Sequence, residues 1–276
     1  MTNTNDYNNF FQTYKNSTWQ IENHLRFWHH FMTTSIDNYK ADNPGNSTIY
    51  ESGFSIYNIP SDVSKTWLNS SNHIFSINPN NLKEQSDNFF NWIMNLSIVR
   101  IYNSAELLLL QSIQHKFFPA CSDPSTSKQE MDMVVGEIKR DLGSNGFKVK
   151  KRNNEYLVTF LQHKVVGFND FLNKKINEDW NTTWMNYFTL FSILRSIVVH
   201  HGMMISTNAK NQLFSSGGDA FKYYFDIANS KSTEILKAKD LHSFLSFAGQ
   251  MNDFVGNTVR LLAEQTTLNF IGLSAV

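Results

Sequence analysis

The sequence predicts a mainly α-helical fold: a helical bundle with a small β-hairpin insertion and an irregular N-terminal extension. Three observations lead there. Apolar residues recur at three- and four-residue steps over several long segments, the mark of helices with one buried face. No Gly or Pro interrupts residues 82–118 before Pro119, so an unusually long helix is expected. Strand-like alternation, by contrast, is confined to short pieces.

Taken in order, residues 17–39 place Ile21, Leu25, Trp28, Met32 and Ile36 on one helical face, with Ser17 or Thr18 available as an N-cap. Residues 41–81 change character. They carry Pro44, Gly45, Pro60 and Pro79 among many Ser and Asn, with alternating pieces at 52–57 and 73–77, which reads as irregular chain with one small hairpin. The long helix at 82–118 follows, with the stripe Phe89, Ile93, Leu96, Leu110, Ile113 and Phe117; Asn103 and Glu106 fall on that stripe where Leu would be expected. A helix at 128–142 is stopped by Gly143 and Gly146. The run FKVKKRNNEYLVTF then takes on a two-residue period around Asn153 and Asn154, and reads as a basic β-hairpin spanning about 145–162. A short helix near 167–177 precedes a strongly apolar one at 183–204, whose stripe is Tyr187, Phe188, Phe191, Leu194 and Val198. Beyond a Gly217-Gly218 break come a strand pair at 223–227 and 233–236 and a last helix at 240–265. No internal repeat is evident. The resulting organisation is an N-terminal helix and Asn/Ser-rich extension (1–81), a helical domain (82–266) and a C-terminal tail (267–276).

Composition narrows the function classes. The 276 residues carry 24 Lys+Arg against 24 Asp+Glu, so no global charge draws the chain to nucleic acid or anionic lipid, and any such partner needs a local patch. A 41% hydrophobic content with 23 Phe is ample for a core. The single cysteine, Cys121, excludes an internal disulfide framework and a Cys-based zinc site and fits a reducing compartment. The N-terminus lacks the basic-then-apolar pattern of a signal peptide, and the stretch 187–205 is interrupted by Arg195, His200 and His201. These features lead us to expect a soluble, cytoplasmic chain without membrane attachment. The Asn-x-Ser/Thr sequons at Asn16, Asn46, Asn69, Asn95 and Asn181 are what an Asn-, Ser- and Thr-rich chain generates by chance.

One constellation carries chemistry. Residues 194–202 read LRSIVVHHG, with four residues between Arg195 and His200 and with His201 next, inside an apolar helix. Upstream, RIYNSAELLLLQSI sets Glu106 in the long helix. Together these resemble the HEPN superfamily, helical bundles marked by Arg-x(4–6)-His in a late helix, with an earlier helix whose acidic residue faces the motif. The resemblance covers about 82–265. It departs at Ser196, where active members usually carry Asn, Asp or His, although Ser also forms hydrogen bonds. It implies a metal-independent endoribonuclease without a cofactor, acting as a homodimer in which two motifs form one site and leaving a 2′,3′-cyclic phosphate. It also implies a toxin–antitoxin or defence setting, with an antitoxin or other partner protein.

The implied roles are physically reasonable. An imidazole, ordinarily titrating near pH 6.5, can accept the 2′-hydroxyl proton or protonate a leaving oxygen; Arg195 would grip the phosphate through paired hydrogen bonds. Glu106 would orient Arg195 or the imidazole, and Ser196, four residues before His200 on the same face, would hold its ring. His201, Asn103 and the basic run Lys148, Lys150, Lys151 and Arg152 are candidate substrate contacts. The competing reading is a non-catalytic helical module that binds a protein or small ligand, with Arg195 and Glu106 as a buried ion pair, His200 stabilised at a helix C-terminus, and the lysines guarding an edge strand. Adjacent His200 and His201 point about 100° apart and cannot chelate one metal as an i, i+4 pair does, so no metal site is expected. The adjacent pair His29 and His30 is assigned no chemistry.

Overall fold

The computed structural model describes residues 4–43, 45, 47–58, 69–121, 127–147, 155–230 and 233–264. They form α1 (Thr4–Asp42), β1 (Tyr50–Asn58), β2 (Asn69–Ile77), α2 (Leu82–Phe117), a 3-10 turn (Pro119–Cys121), α3 (Ser127–Ser144), α4 (Glu155–Lys164), α5 (Phe168–Asn173), α6 (Trp184–His201), α7 (Thr207–Tyr224), β3 (Phe225–Ser230), β4 (Thr233–Ala238) and α8 (Leu241–Leu262). The fold is mainly helical, as the periodicity indicates. The two expected strand pairs are antiparallel hairpins, β1 with β2 and β3 with β4.

Two expectations are corrected. Residues 155–162 lie in α4 and not in a strand. Tyr156, Leu157, Val158, Phe160 and Leu161 are all buried, and Phe160 meets Phe117 and Phe118 at ring-centroid distances of 5.4 and 5.7 Å. A short apolar run that is buried all round has no period of its own, so its tertiary surroundings choose helix over strand. The remainder of the expected hairpin, including Lys148, Lys150, Lys151 and Arg152, lies outside the described residues, as does the tail 267–276. Secondly, α1 begins thirteen residues earlier than read, because Tyr7, Phe11 and Tyr14 extend its buried stripe toward the N-terminus.

The chain divides into two compact units, residues 25–93 and the remainder, 1–24 with 94–276; the boundary at 81/82 read from composition falls inside the smaller one. In the smaller unit, the last part of α1, the β1–β2 hairpin and the start of α2 surround a largely apolar cavity of about 510 Å³ lined by Met32, Ile36, Phe75 and Phe89 among others. Phe90 is buried there against the His29 ring, with centroids 5.0 Å apart.

In the larger unit α6 is the core element. Phe191 stacks on Phe247 of α8 with centroids 4.8 Å apart, Phe188 stacks on Phe254 at 4.9 Å, and Tyr187 donates its hydroxyl proton to the Phe247 carbonyl at 2.6 Å. On another side Tyr102 of α2 meets Phe188 and Phe191. The N-terminal turns of α1 join the same unit: Asp6 and the Tyr7 ring approach His115 of α2, and the Ser17 and Ser104 hydroxyls lie 3.2 Å apart. Burial, with the Glu264 carboxylate adding to it, pushes the Tyr7 hydroxyl up to about 12. By length and composition α2 is a candidate membrane span, and 56% of its apolar window is buried inside the protein.

The Gly217-Gly218 pair does not end a helix; it kinks α7 from within. Gly218 sits at φ 48°, ψ −122°, and a Cβ on Gly217 would come within 2.8 Å of Leu190 Cδ1. These two glycines allow α7 to approach α6 closely while changing direction. Thr182 clasps the kink: its hydroxyl, 2% exposed as a residue, donates to the Gly217 carbonyl at 3.1 Å and accepts from Ala220 N–H at 3.2 Å. Thr182→Val preserves the shape but leaves both groups unsatisfied; an unfolding titration should find it about 1–3 kcal/mol less stable.

Helix α8 is capped by Asp240, whose carboxylate accepts from Ser243 N–H at 2.7 Å and Ser243 O–H at 3.0 Å. The Ser243 backbone bond above all lowers the Asp240 pKa. A lowered folded-state pKa stabilises above the unfolded value and is lost as pH falls through the folded one. Asp240→Ala should therefore cost roughly 0.5–2 kcal/mol at neutral pH, and the gap to the parent should close below about pH 4 in melts repeated across pH.

Candidate functional site

The motif occupies the second half of α6. Thr183 starts this helix by accepting Asn186 N–H at its hydroxyl, and Gly202 ends it in the left-handed region at φ 55°. Met203 continues left-handed at φ 74°, a strained setting for a non-glycine residue. The turn is held there from two sides. Buried Asn95 of α2 donates its amide to Met203 S at 3.0 Å and to the Leu236 carbonyl at 3.2 Å, while Leu236 N–H donates to the Met203 carbonyl at 3.0 Å. Ile205 N–H donates to the Glu234 carbonyl at 2.8 Å, and Lys210 pairs with the Glu234 carboxylate. The end of the motif helix is thus pinned to α2 and β4.

Within this frame His200 and His201 are exposed in the last turn of α6, where the helix dipole favours positive charge. Arg195 and Ser196 are half-buried. Arg195 Nε is shielded from solvent and has no hydrogen-bond partner. His200 lies five positions after Arg195, so the two side chains leave the helix about 140° apart. Ser196 does share the face of His200, in keeping with the i, i+4 reading.

Glu106 is not with them. Tyr102 meets Phe188, Phe191 and Ser192, whereas Asn95 meets Met203, so α2 and α6 run antiparallel. Glu106, one turn beyond Tyr102, lies toward the start of α6; from Phe188 to His200 is about 18 Å along the helix. In one chain its carboxylate cannot orient the imidazole. It instead accepts the Tyr156 hydroxyl of α4 at 3.4 Å. Burial, and then the Glu106 charge, raises the Tyr156 pKa far above its ordinary range. No Arg195–Glu106 bridge is among the ion pairs of the described residues.

Asn103 is exposed and lines an open groove of about 590 Å³ between α2 and α6, with Leu96, Val99, Arg100, Ser104 and Leu107 on one wall and Val198 and Val199 on the other. The sequence reading assigned nothing to Arg100 or Leu107 and put Leu96 on the buried stripe, whereas Leu96 is exposed and lines this groove; the signal that could have found it is an α2 apolar on more than one face. A smaller cavity of about 270 Å³, lined by Thr159, Gln162, Met185 and Ser192 among others, lies between α4 and α6. Among the described residues no group of three His, Cys, Asp or Glu side chains is placed to hold a metal ion. Compared with family models, curated proteins and solved structures, the chain matches none of them.

Because Arg195 Nε makes no bond among the described residues, packing of its stem is expected to be a main contribution to stability. Arg195→Met, which keeps that stem, should shift the unfolding free energy by less than about 1.5 kcal/mol. Denaturant titration checks this, and a larger loss would mark Arg195 as a structural cation.

Proposed function

We propose that the chain is a HEPN-like helical protein that cleaves RNA without a metal ion, leaving a 2′,3′-cyclic phosphate, with Arg195 and His200 of two copies meeting on one phosphate. The observation that carries this is that the fold leaves the motif side chains unspent. Arg195 is not held by Glu106, its Nε lacks a partner, and His200 is exposed and not packed in a core. A purely structural pair would be expected to show the reverse.

The division of labour follows from direction. Side chains about 140° apart on one helix diverge, whereas an Arg195 from one chain and a His200 from another can converge on one phosphate. The imidazole takes the 2′-hydroxyl proton or returns one to the leaving oxygen, and the guanidinium neutralises charge as it builds on the phosphate. Ser196 is placed to steady the His200 ring, and His201 beside it is a candidate contact for a neighbouring nucleotide. Glu106 has no part in a same-chain triad. A cytoplasmic toxin–antitoxin or defence setting goes with this reading.

A second reading is a non-catalytic binding module. It is favoured by the α2–α6 groove, where Leu96, Leu107 and Val199 are 43%, 42% and 45% exposed, an apolar surface suited to a partner. Incubating an RNA pool with the protein in EDTA decides between the two. Cleavage with cyclic-phosphate ends is expected from the parent, and a loss of about 10² to 10⁴ in rate from His200→Ala and Arg195→Met. Absence of parental cleavage, or equal cleavage by all three, would leave the binding module.

A further inference from the structure

Four polar side chains line up along one face of α6. Thr189, Ser192, Ser196 and His200 follow one another at steps of three, four and four, so they project within about 80° of one another. In an otherwise apolar helix this makes a continuous polar line. One end is the exposed His200. The other enters the space between α6 and α4, where Thr189 and Ser192 share the cavity of about 270 Å³ with Thr159 and Gln162 of α4. Ser192 is 3% exposed and the other three are half-buried, so hydrogen-bonding groups run from the interior to the mouth. Buried Val158 and Phe188, with Met185, supply apolar wall.

The lining defines the ligand. Among the described residues around the cavity none is charged, so nothing there balances a phosphate or a carboxylate. At about 30 Å³ for each water, the space takes about nine groups of that size, the scale of one small ring system. Apolar walls with a few neutral donors and acceptors suit a flat, uncharged heterocycle. The Gln162 amide sets a donor beside an acceptor, the arrangement that meets the N6 amine and N7 of adenine together. The Met185 thioether is suited to lie against an aromatic ring.

We infer that the α4–α6 cavity is the pocket for an unpaired adenine base of bound RNA. Its chemistry stands on the lining, and its place in the strand rests on the ribonuclease reading. His200 lies about 12 Å along α6 from Ser192 and about 16 Å from Thr189. That span is about two or three nucleotides of extended single strand, the form in which RNA offers splayed bases to be read. The strand follows the polar line past Ser196, and the seated base holds the phosphate at His200 in register.

Adenosine, cytidine and uridine, titrated separately into the full chain labelled at its methionine methyls, test the pocket. The Met185 resonance is assigned by its loss in Met185→Leu. Adenosine is expected to shift it with saturation, and the other two nucleosides to bind at least about fivefold more weakly. Gln162→Met keeps the side-chain length and should weaken adenosine by the same factor. If that variant does not fold, 7-deazaadenosine, which lacks the N7 acceptor, tests the same pair on the parent and should bind as weakly. A Met185 signal indifferent to all three nucleosides, equal binding of the three, or binding unaltered by loss of either the amide or N7 would overturn the inference. Single-stranded RNAs carrying one adenine moved stepwise from the cut, incubated in EDTA, test the placement. The greatest kcat/KM is expected with adenine about two or three nucleotides away, and Gln162→Met should flatten that preference; cleavage with no preferred position overturns the placement. Adenosine held by a chain that does not cleave RNA sinks the ribonuclease and leaves the pocket. Cleavage indifferent to adenine, by a chain that binds no nucleoside, does the opposite.

Discussion

Burial of α6 is the constraint on which the larger unit depends. From Trp184 to Val198 this helix is enclosed by aromatic rings from α2, α5 and α8 and by close backbone approach from α7. Stacked and tilted rings contribute both buried area and a preferred geometry, so the directions in which Arg195 and His200 leave α6 follow from where Phe188 and Phe191 are locked. The Tyr187 hydroxyl bond to the Phe247 carbonyl fixes rotation of α6 against α8. A motif on so heavily constrained a helix has little freedom to rearrange within one chain.

This explains a division visible along α6. Through Val198 the helix is largely consumed by packing, and its last turn emerges beyond the core into a turn held by the Asn95 amide and by β4. Polar chemistry is concentrated where packing stops. Glu106 illustrates the opposite case: a charged side chain near the packed end, occupied by Tyr156.

Much of the architecture was legible because helical periodicity survives wherever one face is wet. The bounds of α2, α6 and α8 fall within a few residues of the ranges 82–118, 183–204 and 240–265 read from the sequence. Legibility failed where burial was nearly complete, as in α4, where Tyr156, Leu157, Val158, Phe160 and Leu161 are all buried, and where Asn and Thr masked the stripe of Tyr7, Phe11 and Tyr14. At the site, Arg195 is half-buried and His200 is exposed in a helix read only as strongly apolar. The separation of Glu106 could not be read, because its partner helix and the direction in which that helix runs are long-range facts. The Asn103 anomaly was real in another sense: the polar residue in an apolar stripe marks a second face of α2 rather than a flaw in the first.

The order in which the chain is made has a consequence for this topology. Residues 4–24 belong to a unit whose other members begin at residue 94, and Tyr7, Phe11 and Tyr14 are buried in it. On a ribosome these rings emerge well before residue 94, and the Tyr7 ring meets its partner only after His115 of α2 has appeared. The reach of Asp253 and Glu264 toward Tyr14 and Tyr7 extends that dependence to the end of α8. The smaller unit, contiguous from 25 to 93, can close during synthesis, while the segment before it waits in water with its aromatic face uncovered. Long-range closure of this kind slows folding and lengthens exposure to aggregation, so chaperone occupancy of nascent chains should be concentrated on residues 4–24.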